Sequence, residues 1–129
     1  MTRQAPRQLP DGARTARRRS ERQGHAAERI AALVLMLRGY RILGRRQRTR
    51  LGEIDLIAVR GRRVAFVEVK RRLTQEAVES ALTSAQRARI RRAAGLWLAR
   101  NARYQSHEIG FDLVLLAGRR WPRYLRDAL

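Results

Sequence analysis

The sequence predicts an α/β or α+β fold, with α/β preferred: a mixed β-sheet with helices packed on it, from the order helix, three strands with a hairpin, helix, strand. Three observations predict it. A helix-like apolar segment covers Ala26–Leu37. Two strand-like runs, Gly52–Val59 and Val64–Lys70, flank a turn signal at Gly61-Arg62. A capped helical segment then precedes a further apolar strand, Phe111–Ala117.

Taken in order, residues 1–20 hold Pro6, Pro10, Gly12 and many arginines with almost nothing apolar, and read as a disordered basic tail. Ser20 is a candidate N-cap with Glu21 in the first turn, and Gly39 is a natural stop, so the first helix is expected over about 21–38. Tyr40–Leu43 reads as a short strand, and Gly44–Leu51 as a loop rich in arginine. The two hairpin strands follow. Thr83-Ser84-Ala85-Gln86 has the form of a capping box opening a helix to about Asn101, with Ile90, Ala93, Ala94, Trp97 and Leu98 on its apolar stripe. Trp121–Leu129 carries no clear element signal. The expectation is a single domain over 21–129 behind the tail.

Charge dominates the composition. The 129 residues carry 30 Lys+Arg against 11 Asp+Glu, net +19, and 29 of the bases are Arg with Lys70 the single lysine. Residues 23–129 alone carry 23 bases and nine acids, so the excess belongs to the folded body as well as the tail. A body this basic points to a polyanion, nucleic acid first. The absence of cysteine excludes a disulfide scaffold, a Cys-ligated zinc site and a thiol nucleophile. The longest apolar run, Ile30–Leu37, is eight residues against the roughly 20 that a membrane helix needs. No membrane partner and a cytoplasmic location are therefore expected.

The chemistry concentrates in the hairpin. Strict alternation places Glu53, Asp55 and Ile57 on one face of the first strand, and Phe66, Glu68 and Lys70 on one face of the second. A turn centred on Gly61-Arg62 pairs Arg60 with Arg63, which sets Asp55 opposite Glu68 and Glu53 opposite Lys70. Directly opposed side chains have Cβ atoms ~4.5–5.5 Å apart. Two carboxylates that close suit a hard divalent ion, Mg²⁺ or Mn²⁺. Lys70 beside them is placed to position a water and stabilise charge on a phosphoryl oxygen. The same four residues also read as a salt-bridge ladder on a solvated face. The apolar neighbours Ile57, Phe66 and Val64, and the use of lysine only here, favour the first reading.

Asp55…Glu68-Val69-Lys70 resembles the core motif of the PD-(D/E)xK nucleases, with Ile54 where the family's name has Pro. A longer match runs through Gly24-x-x-Ala27-Glu28, Gly39-Tyr40-Arg41-Ile42-Leu43, Gly52–Ala58, Phe66–Arg72 and Phe111–Val114. It resembles the bacterial YraN-like family, itself similar to Holliday-junction resolvases. The resemblance covers about residues 21–129 and departs at Gln86 and Gln47, where the family usually has Lys and Asn. It implies a restriction-endonuclease-like core, with Asp55, Glu68, the Val69 carbonyl and Glu28 around Mg²⁺ and Lys70 orienting or activating water. A homodimer is the assembly it implies, because a four-way junction has two-fold symmetry.

Phosphate contacts are expected from Arg45, Arg46, Arg48, Arg50, Arg87 and Arg91. His25 and His107 lack ligand spacing and read as surface or packing histidines. Trp97 reads as core, and Asp112 as a buried structural acid pairing an arginine. Trp121 and Tyr124 stay open between base stacking, core closure and a dimer contact. The expected function is Mg²⁺-dependent endonuclease action on DNA, including branched or Holliday-junction DNA. The alternative is a non-catalytic nucleic-acid-binding module for DNA or structured RNA.

Overall fold

The structure, a computed structural model, describes residues 11–72 and 83–129, with side chains over 24–71 and 83–129. The chain runs α1 (Asp11–Leu37), β1 (Arg41–Thr49), β2 (Gly52–Arg60), β3 (Arg63–Arg72), α2 (Ser84–Arg100), a 3-10 turn (Ala102–Tyr104), β4 (Glu108–Ala117) and β5 (Arg123–Leu125). The sheet order is β1-β2-β3-β4-β5. Only the β3–β4 pair is parallel, so the sheet is mixed, as expected. That parallel pair needs a long connection between its strands, and α2 lies within it.

The first helix begins ten residues earlier than the N-cap reading of Ser20 placed it. Residues 11–20, read as tail, are helical; Ala and Arg, which dominate there, both have high helix propensity. Residues 1–10 of the expected tail lie outside the described residues. At the other end Gly39 sits at φ +89°, and the Tyr40 N–H reaches back to the Leu35 carbonyl at 3.0 Å. This is the Schellman closure that the sequence signalled, with Tyr40 and Leu35 packed in the same core cluster.

The expected arginine loop is strand. Arg45–Thr49 pair along β2 through Gly52–Leu56, because the preceding Gly44 region carries a bulge at Leu43 rather than a turn. An edge strand filled with arginine also resists pairing with another sheet, which explains how a strand hides under a loop-like composition.

Two apolar layers close the sheet. On one face Ala31, Ala32 and Leu35 of α1 pack on Leu56, Ala58, Ala65, Val67 and Val114. On the other, Ala93, Ala94 and Trp97 of α2 pack on Ile54, Ile57, Val59, Val64 and Phe66. Trp97 meets Phe66 edge-on at 5.7 Å, the core role expected of it. The capping box of α2 is complete: the Gln86 N–H donates to Thr83 Oγ1 at 3.2 Å, and the Thr83 N–H to Gln86 Oε1 at 3.4 Å.

A buried polar cluster ties the strand ends together. Arg63 donates to both oxygens of the fully buried Asp112, at 2.6 and 2.8 Å. The Tyr124 hydroxyl and the Asp127 N–H also bond Asp112, and Arg63 reaches the Tyr40 hydroxyl at 3.0 Å. Burial alone would raise the Asp112 pKa. The bonds from Arg63, Tyr124 and Asp127 outweigh that and hold it below the ordinary carboxylate value. Asp112 is thus the structural acid expected, and Arg63 is its arginine.

Candidate active site

The hairpin register is the expected one from Arg60↔Arg63 to Leu56↔Val67. There the regular ladder ends, and the predicted Asp55↔Glu68 and Glu53↔Lys70 pairs are not formed as ladder partners. Continued alternation would have the Val69 N–H donate to the carbonyl of Ile54. Instead it donates to Asp55 Oδ2 at 2.8 Å. The side chain of one strand has taken a backbone donor of the other.

The cause is a slip in β2. Ile54 and Ile57, three residues apart, both pack on the α2 side. Leu56 packs under α1, and Asp55 opens on a cleft walled by α1. Strict alternation cannot satisfy all four positions, so the sequence placement of Asp55 on the face of Ile57 is corrected. Across the sheet, the β1 register skips the pair Arg46–Asp55, and Arg46 adopts φ +48°, unusual for a non-glycine. Two neighbouring strands are irregular at one level, and a cleft of about 410 Å³ opens there.

The cleft gathers most of the residues singled out in the sequence. Glu28 and His25 from α1, Arg46 and Arg48 from β1, Glu53 and Asp55 from β2, and Val69 and Lys70 from β3 line it. Glu28, only 13% exposed, accepts a hydrogen bond from Arg46 Nε at 2.7 Å. Lys70 Nζ lies 3.0 Å from Glu68 Oε1, both largely buried. Arg48 and Glu53 form an exposed pair at 3.4 Å, so Glu53 is partnered by Arg48 rather than Lys70. His25, read as a surface or packing residue, is exposed as expected, and it shares a helix face with Glu28 three residues on.

Electrostatics single out Asp55. Burial first, and then the neighbouring Glu68, push its carboxyl up to about 7; the Val69 N–H opposes this, and Glu53 and Glu28 add to it. Glu28 is also raised, by burial first, against the Arg45 charge. An ionised Asp55 is therefore held at a cost that a nearby cation would relieve.

The donors suit a hard cation in one respect and limit it in another. Asp55, Glu68 and the Val69 carbonyl are all oxygen donors, and Mg²⁺ is commonly held by one or two carboxylates while keeping water. Among the described residues no group of three or more His, Asp or Glu is gathered closely enough to hold an ion by itself. Glu28 is in the cleft but bound to Arg46.

The other expected phosphate contacts divide. Arg45, Arg50 and Arg87 are exposed. Arg91 is turned to the protein: its guanidinium bonds the Leu129 carbonyl at 2.9 Å and lies 4.4 Å from the Phe111 ring centroid. Tyr124 is committed to the Asp112 cluster, whereas Trp121 is 90% exposed and does not close the core. No helix among the described residues is long and apolar enough to cross a membrane.

A family model described as "Uncharacterised protein family UPF0102" matches residues 27–116, from the α1 wall of the cleft to the end of β4. The chain belongs to the UPF0102 family. A UPF0102 protein of Rhizobium meliloti (strain 1021) is 50% identical over 107 residues, 83% of this chain and 88% of the relative. One from Methylorubrum extorquens (strain PA1) is 50% identical over 112 residues, 87% and 88% of the two chains. One from Brucella canis is 52% identical over 103 residues, covering 80% and 82%. The YraN-like resemblance of the sequence is this membership. The α/β sheet of this UPF0102 protein is consistent with the nuclease-like core that the resemblance implied.

Proposed function

We propose that this UPF0102 protein is a divalent-metal-dependent endonuclease acting on DNA, branched DNA included. The observation that carries the reading is Asp55: a half-buried carboxylate, fixed by the Val69 N–H at 2.8 Å, where β2 leaves the ladder beside the Glu68–Lys70 pair. Asp55, Glu68 and the carbonyl of Val69 would hold Mg²⁺ or Mn²⁺, with Glu28 joining on release from Arg46. When bound, the ion would polarise the scissile phosphate and acidify a water. The bond from Val69 fixes the direction of the Asp55 carboxylate, so its position needs no rearrangement. Lys70 supplies a positive charge next to Glu68 that orients water and offsets charge developing on phosphoryl oxygens. The exposed arginines of β1, with Arg87 on α2, would hold the flanking phosphates.

The test is incubation of purified protein with branched, single-stranded and duplex DNA in Mg²⁺ and in Mn²⁺. Cleavage that disappears in Asp55→Ala and in Lys70→Ala supports the proposal. Absence of cleavage, or cleavage that survives both substitutions, refutes it.

One observation favours a second reading, a non-catalytic nucleic-acid-binding module for DNA or structured RNA. Glu28 and Glu68 are already neutralised by Arg46 and Lys70 of the same chain, so the cleft has less need of a metal. Calorimetry with Mg²⁺ and Mn²⁺, with Asp55→Asn as control, separates the two. A binding heat abolished in the variant supports the enzyme, and nucleic-acid affinity indifferent to chelator and to Glu68→Ala supports the module.

A further inference from the structure

Next to the carboxylate cleft lies a second, apolar groove of about 540 Å³. Ile30, Leu33 and Leu37 of α1 form one wall, and Trp121 and Pro122, from the segment between β4 and β5, form the other. The two cavities are contiguous, because Ala27 and Arg71 line both. Leu33 is 53% exposed, Leu37 79% and Trp121 90%, a concentration of apolar surface that is unusual on a chain of net charge +19.

We infer that this groove receives an unpaired nucleobase, stacked on Trp121, of a strand whose phosphate lies in the adjoining cleft. The inference rests on the nucleic-acid reading of the cleft and names its substrate class: single-stranded DNA, or unpaired bases at a branch. Three features select a base as the occupant. The groove joins a cleft proposed to take a phosphodiester, so a base one step along the strand meets it without a new binding event. Its walls are apolar with an exposed indole, the surface on which bases of any sequence stack. Arg71 and Arg120 in its walls match the phosphates on either side of that base. A fully paired duplex keeps its bases stacked and cannot offer one without the cost of flipping it out.

The test is binding in chelator, so that cleavage plays no part, using the full chain and three labelled DNAs: a single strand, a forked duplex and a blunt duplex of the same sequence. Tryptophan fluorescence is followed in parallel, Trp97 being buried and Trp121 exposed. Trp121→Ala is expected to weaken the single strand and the fork about tenfold and the blunt duplex less than twofold, with Trp121→Phe retaining most of the affinity. Single-strand binding should quench fluorescence in the wild type and not in Trp121→Phe. Equal weakening on all three DNAs, or no weakening and no quenching, overturns the base pocket and leaves the nuclease proposal standing. Failure of the wild type to bind any of the DNAs overturns both. Quenching by an acidic amphipathic helical peptide, with unchanged DNA affinity in Trp121→Ala, reassigns the groove to a protein partner and also overturns the inference.

Discussion

Asp55 and Asp112 are both shielded carboxylates, yet their surroundings move them in opposite directions. Asp55 meets burial and other acids with one N–H in its favour, and rises to about 7. A carboxyl raised in the folded state favours the protonated form there. Its contribution to stability is full below the unfolded value near 3.8 and is lost as pH rises through about 7. The metal-free protein should therefore lose stability between pH 5 and pH 8, and Asp55→Asn should flatten that slope. At pH 8 the substitution is expected to stabilise the metal-free protein by about 1–2 kcal/mol, with one pKa unit worth ~1.4 kcal/mol. Thermal melts of both proteins in chelator across pH 5–8 check it, and parallel pH profiles would count against it. Asp112 contributes in the reverse sense, present above the ordinary carboxylate range and lost as pH falls through its lowered value. Asp112→Ala would leave the Arg63 guanidinium, 5% exposed, buried without its partner. Arg63 would keep its bond to Asp127 at 2.8 Å, but that carboxylate is 63% exposed and replaces neither bond to Asp112. The expected loss is about 3 kcal/mol in urea denaturation, the lower end of the cost of breaking a buried pair.

The elements show how much of the molecule was legible in sequence and why part was not. Helix ends were legible where chemistry is local. Gly39 closes α1, and the Thr83/Gln86 box opens α2. Thr83→Ala is expected to cost about 1 kcal/mol in chemical denaturation by freeing N–H groups of the first turn. The hairpin register was legible because it follows from one turn, Gly61-Arg62, with Gly61 at φ +58°. The slip at Asp55 was not. It depends on Ile54 and Leu56 choosing opposite layers, and on Arg46 opposing it from β1, which alternation within a single strand does not contain. Glu28, Asp55, Val69 and Lys70 of the candidate site thus line one cleft, but the facing pairs Asp55–Glu68 and Glu53–Lys70 were misassigned. Gly110 on β4 was missed for a similar reason. A Cβ there would collide with the Arg63 guanidinium on its way to Asp112, a requirement visible only once both strands are in place. Gly110→Ala should therefore disrupt the pair and destabilise β4 by several kcal/mol, in line with breaking a buried ionic network. A melt within error of wild type would refute that account.

At the scale of the whole molecule the excess charge is not a uniform coat. Some arginines are committed to the fold: Arg63 to Asp112, Arg46 to Glu28, and Arg91 to the Leu129 carbonyl and the Phe111 ring. Others stand exposed on one edge of the sheet and on α2, among them Arg45, Arg50 and Arg87. Composition counts both kinds alike, which is why the sequence placed Arg46 and Arg91 beside Arg45 as phosphate contacts. Salt separates them. Each phosphate neutralised on B-form DNA steepens the decline of log affinity with log salt by about 0.9. If the exposed edge holds DNA, Arg45→Ala and Arg50→Ala should each shallow that slope by about 0.9 and weaken binding to all sequences alike. Arg91→Ala should leave the slope unchanged and instead lower thermal stability, since it removes a ring contact and a bond to the chain's last described residue. Titrations of blunt duplex from 50 to 200 mM salt give all three slopes. An Arg91→Ala slope as shallow as that of Arg45→Ala would mean that the guanidinium leaves Phe111 for phosphate on binding, and the division between structural and binding arginines would fail at that residue.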